Sequence, residues 1–382
     1  MTEEEKERSK MPANRKRKTI GILTFHRAIN YGALLQAYGL QEALRDYGMD
    51  TKVIDYRCPF VEKAYRLLWG LNKKKLRSWK YTLKGVPYVK KKTEMFRKFE
   101  ERYLELSKPY NKGDEAKMEA DFDEIITGSD QVWNMDISGN DRNYLLDKIN
   151  DSKMKNSYAV SLGTYKLKKE DVDAIRKFDK ISLREKSAAD YVKELTGRDD
   201  VHCDIDPTLL LTPDKWEELV NKNRVIKEKY IFIYSVHPEN HMVSYAKELA
   251  KEKNLKIVHL HNRVKMDLRE PGVDILHAVT PNEFLTLIHD AEYVITNSFH
   301  GTVFSIIYRK QFLSELTTKG GFNNRVYDLL TALNINRRIL EPVRNVNDGI
   351  TIDEEISFDG AMEALAALRA ESIRYLESIV EK

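Results

Sequence analysis

The sequence predicts an α/β protein of two doubly wound, Rossmann-like domains facing a cleft, and three observations carry that prediction. Short apolar runs alternate with helical patterns along the chain, an order that builds parallel sheets flanked by helices. The alternation restarts after Pro213. Several strand ends run straight into polar turns, many of them containing glycine, at the edge where open α/β sheets hold ligands.

Residues 1–18 are charged and lack the apolar centre of a signal peptide, so they read as a basic, disordered tail on a cytoplasmic chain. The N-terminal domain is expected over 19–212. TIGILTF (19–25) and TKVIDY (51–56) are strands around a helix from Gly32 to Tyr47, and a basic helical insert follows near 60–110. Strands at 123–128, 156–163, 181–183 and 201–205 complete this domain, with helices near 168–178 and 185–196. The C-terminal domain, 213–358, carries strands at 230–236, 255–261, 292–296 and 311–313. Its helix near 281–290 is well marked, because Thr280 and Glu283 form a capping box around Pro281. Met362, Leu365, Leu368, Ile373, Leu376 and Val380 line one stripe of a closing helix, 359–382, expected to pack back on the N-terminal domain.

Composition excludes several classes. The chain of 382 residues is 42% hydrophobic, an ordinary globular balance, and no window approaches the ~18–20 apolar residues of a membrane span. Cys58 and Cys203 make neither a disulfide framework nor a metal knuckle and read as packing residues. Thirteen Lys or Arg stand between Lys63 and Lys98 against one acid, Glu94, with aromatic residues interleaved. That run is either a solvated helical face or a surface for an anionic glycan or the inner face of a membrane. No nucleic-acid motif accompanies it, so nucleic acid is not an expected partner.

Each strand end offers candidates. After the first come Asn30, Tyr31 and Gly32, where a capped helix start could meet a sugar hydroxyl or simply turn the chain. Next, GSDQVWN supplies Ser129 and Asp130 as acceptors and Trp133 as a flat face for a sugar ring, or else a loop packed by its tryptophan. Arg184 leaves its strand as a helix begins and could fork onto a carboxylate or phosphate, or else pair with Glu185 or another neighbouring acid. Asp206 precedes Pro207 and reads as a rigid inter-domain turn. In the second domain His259 and His261 share a strand face, but no Cys or carboxylate pattern joins them, so no metal is expected and they line the cleft instead. Lys319 and Arg325 are further anion candidates in a helix-entry loop. The most polar of these junctions is ITNSFHGTVFSII, which sets Ser298, His300 and Gly301 between a strand and an apolar helix.

Together, NYGALLQAYGLQEAL, ITGSDQVWN, SLREKS, DPTLLL and TNSFHGTVFSI resemble, in order and rough spacing, the polysaccharide pyruvyl transferase family. The resemblance runs from about Ile20 to Leu330. It implies a fold similar to GT-B glycosyltransferases and transfer of the enolpyruvyl group of phosphoenolpyruvate onto two hydroxyls of a sugar or lipid-linked oligosaccharide, without cofactor or metal. The histidine of the family's His-Gly motif falls on His300. The better studied branch carries an arginine two residues earlier, where Ser298 stands here. The expected donor contacts are therefore Arg184, Lys319 and Arg325, with Ser298 and Gly301 at the helix start. Asn30, Tyr31, Gly32, Ser129 and Trp133 are expected at the acceptor. Ketal formation needs a general acid, for which His300 is the natural choice, and a hydroxyl-activating base, for which Asp130 is the candidate. The rival readings are a nucleotide-sugar glycosyltransferase of the same architecture and a non-enzymatic binder of polyanions or membranes.

Overall fold

In the computed structural model, residues 18–64, 76–237, 241–264, 266, 269–316, 324–340 and 356–380 are described. The first sheet has seven parallel strands: β1 (Thr19–Leu23), β2 (Asp50–Tyr56), β3 (Leu106–Tyr110), β4 (Glu124–Asp130), β5 (Lys155–Val160), β6 (Ile181–Leu183) and β7 (Val201–Cys203). Its order, β3-β2-β1-β4-β5-β6-β7, reverses direction at β1/β4, the switch point at which doubly wound sheets open a crevice. The second has six parallel strands in the order β10-β9-β8-β11-β12-β13, from β8 (Tyr230–Ser235), β9 (Lys256–His261), β10 (Asp274–Leu276), β11 (Tyr293–Thr296), β12 (Gln311–Glu315) and β13 (Ile339–Leu340). It switches at β8/β11.

Helices α1 (Tyr31–Asp46), α2 (Leu76–Tyr103), α3 (Lys186–Thr196), α4 (Pro281–His289), α5 (Phe299–Ile307), α6 (Asn324–Ala332) and α7 (Asp359–Val380) place the site. The capping box of α4 forms as the residues dictate: Thr280 Oγ1 accepts from Glu283 N at 3.0 Å, and Glu283 accepts from Thr280 N at 2.7 Å. The interior of α5 is buried on every side, so it is a core helix. One apolar cluster runs continuously through both sheets, joining Leu34 and Tyr38 of α1 to Phe284 of α4 and Phe304 of α5. In α7, Tyr375 OH donates to Ser157 O at 2.8 Å, and Ser372 Oγ accepts from Ile205 N at 3.1 Å.

The structure departs from the sequence reading at three points. The stretch 60–110 is not helical throughout, since LSKPY forms the edge strand β3; Pro109 is tolerated there because an edge strand needs no inward donor. β10 lies in a segment without a strand pattern. Cys58 is buried but Cys203, on the edge strand β7, is exposed.

Candidate active site

The carboxyl ends of the first sheet converge on the N-terminus of α5. Asp130 closes β4 with φ 70°, in the left-handed region that Asp enters more readily than most side chains. Arg184 follows β6 and is tied down by its N–H to Val160 O at 2.9 Å. Asp206 follows β7 and caps the short turn Pro207–Leu209. Its Oδ1 accepts from Thr208 N at 3.0 Å and Thr208 Oγ1 at 2.6 Å. The Asp-Pro-Thr sequence thus occupies one carboxylate oxygen with the cap and leaves the other for the site.

That other oxygen, Asp206 Oδ2, accepts from Arg184 Nη1 at 2.6 Å and lies 3.5 Å from His300 Nε2. The first contact is a charge-assisted hydrogen bond; the second is an ion-pair distance, too long for a well-formed hydrogen bond. His300 Nε2 is buried. Burial pushes the Asp206 carboxyl up, but His300, Arg184 and the Thr208 hydroxyl outweigh it and hold the group well below the usual carboxylate range. Burial likewise disfavours the Arg184 cation, yet Glu185, Asp206 and Asp130 reverse the effect and keep it firmly charged. Glu185 Oε1 stands 3.4 Å from Arg184 Nε, and Asp130 Oδ1 is 3.7 Å from Arg184 Nη2.

Arg325, at the start of α6, completes the cluster. Its Nη1 lies 3.9 Å from Asp130 Oδ1, so Asp130 faces both guanidiniums. Burial, with Arg184 close by, weakens the hold of Arg325 on its proton. Both arginines lie against the Phe299 ring, their Cζ atoms 4.7 and 5.7 Å from its centroid, which fixes two like charges side by side. His300 is seated by Gly32: a Cβ there would lie 2.0 Å from His300 Nδ1 and 2.4 Å from Cγ. The imidazole therefore occupies the space of the missing side chain, and the N-termini of α1 and α5 meet across it.

Several residues expected at the site do other work. Trp133 is fully buried, donates Nε1–H to Tyr144 O at 3.1 Å and packs edge-on against Phe178, so no sugar stacks on it. Tyr31 is also buried, stacked on Phe284 at 4.6 Å with its hydroxyl donating to Val279 O. Ser129 is buried and committed to Gln36 and Ala159. Asn30 caps α1 through Gly32 N and Ala33 N. Ser298 caps α5, its Oγ accepting from Gly301 N at 3.3 Å, and Gly301 packs against Thr296 and Tyr234, where a side chain would clash. In these contacts Asn30, Tyr31, Ser129 and Trp133 serve the fold, while Ser298 and Gly301 shape the start of α5. Lys319 lies outside the described residues. His259 is buried against Ser235 Oγ at 2.8 Å, and His261 Nδ1 accepts from Arg263 N at 3.0 Å. Among the described residues no three or more His, Cys, Asp or Glu are arranged to hold a metal.

Sequence reasoning left Asp206 as a turn residue, named Glu185 only as an ion-pair partner for Arg184, and missed Phe299. The strand-end rule that found Arg184 also raises Asp206, which follows a strand of the first sheet; the proline after it favoured a simple turn.

A model of the family described as polysaccharide pyruvyl transferase matches residues 30–314, a span that holds Gly32, Asp130, Arg184, Asp206 and His300 in one constellation. The chain belongs to the polysaccharide pyruvyl transferase family. No curated protein matches it. Among solved structures, the UDP-GlcNAc 2-epimerase of Methanocaldococcus jannaschii is 12% identical over 92% of each chain, with a TM-score of 0.52. The Neisseria meningitidis enzyme of that name, bound to UDP-GlcNAc, is 13% identical over 96% of this chain and 94% of its own, at 0.45. The Escherichia coli ADP-heptose LPS heptosyltransferase II is 10% identical over 92% and 99%, at 0.38. The first likeness shows the fold alone: this pyruvyl transferase family member has two Rossmann-like domains of GT-B type. No described helix is long and apolar enough to cross a membrane.

Proposed function

We propose that this family member transfers the enolpyruvyl group of phosphoenolpyruvate to two hydroxyls of a sugar in a polysaccharide or its lipid-linked precursor, releasing phosphate. The observation that carries the reading is His300 held 3.5 Å from the buried Asp206 carboxylate beside Arg184 and Arg325. An acid with a fixed counter-ion stands next to two cations in a chain of this family.

The roles follow from the chemistry. His300 delivers a proton to the methylene carbon, and the first sugar hydroxyl adds to the adjacent carbon as positive charge develops there. The carbon–oxygen bond to phosphate then breaks and the second hydroxyl closes the ketal. Of the two hydroxyl protons released, one restores His300 and the other leaves with phosphate. Asp206 orients the imidazole and stabilises its cationic form. Arg184 and Arg325 grip the donor's carboxylate or phosphate. Asp130 faces both guanidiniums, with its side chain 17% exposed, the most accessible of the cluster's acids. In this reading the donor's anion displaces it, and Asp130 takes the proton of one hydroxyl and passes it to the departing phosphate.

The test is phosphate release from phosphoenolpyruvate across a panel of lipid-linked and nitrophenyl sugars, with His300→Gln beside the wild type. A general acid is worth ~10²–10⁴-fold, so His300→Gln should lose turnover by that order while binding the donor nearly unchanged. Turnover of a UDP- or ADP-sugar without consumption of phosphoenolpyruvate would overturn the reading.

A further inference from the structure

We propose that Gln36 is a positioning residue for Asp130. Gln36, on α1, is buried, as are Thr24 and Ser129. A buried amide is costly unless its donors and its acceptor are engaged, and here they are. Gln36 Oε1 accepts from Ser129 N at 3.0 Å, while Nε2 donates to Thr24 Oγ1 and to Ala33 O, both at 2.8 Å. Thr24 Oγ1 gives its own hydrogen to Ser129 O at 3.1 Å. Side chains therefore grip both backbone polar atoms of Ser129, and the Ser129 hydroxyl donates to Ala159 O at 2.6 Å.

The place of this clamp in the sheet shows what it holds. The ladder between β1 and β4 ends at Leu23 and Thr127, at the switch point of the first sheet. β4 nevertheless runs on to Asp130 beside β5, where Gly128 pairs with Tyr158 and Asp130 with Val160. On the side that β1 has left, Gln36 and Thr24 make the hydrogen bonds that a neighbouring strand would make. Ser129 O belongs to the peptide plane that ends at the Asp130 Cα, so the bond from Thr24 sets that plane directly. Asp130 itself has φ 70°, a conformation that persists in a residue other than glycine where its surroundings fix it.

Gln36 follows Gly32 by four residues, so the two share a face of α1. Gly32 seats His300, and Gln36, through Ser129, aims Asp130 at the two guanidiniums, with Oδ1 3.7 Å from Arg184 Nη2 and 3.9 Å from Arg325 Nη1. Packing alone does not call for an amide at this position, since Leu34, Leu35 and Leu40 fill the core from the same helix. The role of Asp130 as base rests on the proposed function; its placement by Gln36 does not.

The experiment is Gln36→Met, which keeps the length and the apolar stem and removes the clamp. Misplacing a reacting group by about 1 Å costs on the order of 100-fold, so phosphate release from phosphoenolpyruvate should fall about 100-fold. Calorimetry should show the donor bound at least as tightly as by the wild type, because Arg184 and Arg325 remain and Asp130 competes less well for them. A defect of packing alone would weaken donor binding along with turnover, and that result would overturn the proposal. In a double-mutant cycle, Gln36→Met should add less than about twofold to the loss caused by Asp130→Asn; losses that multiply would refute the link. Thr24→Val should lose turnover as Gln36→Met does, whereas Thr24→Ser, which keeps the hydroxyl, should retain most of it. Equal turnover of the two Thr24 variants would overturn the clamp, whether or not Gln36→Met folds. A crystal structure of Gln36→Met without donor reads the placement apart from the chemistry: Asp130 Oδ1 should have left the guanidiniums, and an Asp130 in its wild-type position would end the proposal. If the wild type releases no phosphate from phosphoenolpyruvate, the proposed function fails and that structure alone judges the clamp.

Discussion

Replacing Asp206 by Asn tests the site at its centre. The amide keeps the size and can still accept from Thr208 through Oδ1, so the turn over Pro207–Leu209 should survive. What is lost is the charge on Oδ2, which receives Arg184 Nη1 at 2.6 Å and faces His300 Nε2 at 3.5 Å. Removing one partner of a buried ion pair costs about 3–5 kcal/mol. Here Glu185 and Asp130, 3.4 and 3.7 Å from Arg184, continue to balance that cation, which places the cost at the low end, about 3 kcal/mol. The folded-state carboxyl is held below its ordinary value. Its contribution is therefore complete above the unfolded value near 3.9 and is lost as pH falls through the folded one. Denaturant midpoints measured for both proteins should differ at neutral pH, and the gap should close as pH falls below about 4. Phosphate release should fall ~10²–10³-fold at neutral pH, because His300 loses its counter-ion and Arg184 its anchor. An Asp206→Asn protein with wild-type turnover and an unchanged midpoint would refute the account.

Three further perturbations separate the parts. Gly32→Ala places a Cβ 2.0 Å from His300 Nδ1; turnover should fall as far as in His300→Gln, and a crystal structure should show the imidazole displaced. Arg184→Lys keeps a charge but loses the fork, so calorimetry should show phosphoenolpyruvate binding weakened about ten- to hundredfold; unchanged affinity would remove Arg184 from the donor site. Lys92 is pushed down by burial to about 7 from 10.5. Between those values the unfolded chain holds a proton that the folded one lacks, so stability rises with pH there by about 1.4 kcal/mol per unit from this group alone. Lys92→Met should flatten that rise in melting scans from pH 7 to 9.5, and equal slopes would disprove it.

The fold was legible because its central strands, such as Ile20–Leu23 and Tyr230–Ser235, are buried on both faces and so read as continuous apolar runs between polar turns. The edges were not. LSKPY in β3 has a burial pattern that is mostly exposed or intermediate, and DIL in β10 is only partly buried, so neither carries the apolar signal that a sequence reader can count. The helix of the basic insert was visible, yet its buried side was not, because Lys92 is a lysine in every sequence statistic and only Tyr31, Phe96 and Asn262 make it an interior residue.

The site divides along the same physical line. His300 and Arg184 could be read because each stands alone at a strand-to-helix junction, a local feature. The acceptor residues are less legible for the converse reason: a polar or aromatic side chain at such a junction is equally suited to pack or cap, and Trp133 and Ser129 donate to the carbonyls of Tyr144 and Ala159 while Asn30 caps α1. What decides between the two uses is whether a second element arrives to claim the side chain, and that depends on contacts between segments far apart in the chain. Asp206 is the clearest case. From its neighbours alone it is the cap of a proline turn, and it does cap that turn. Its other oxygen meets His300 only because α5 carries that residue across from the second domain and Gly32 has no side chain to block it.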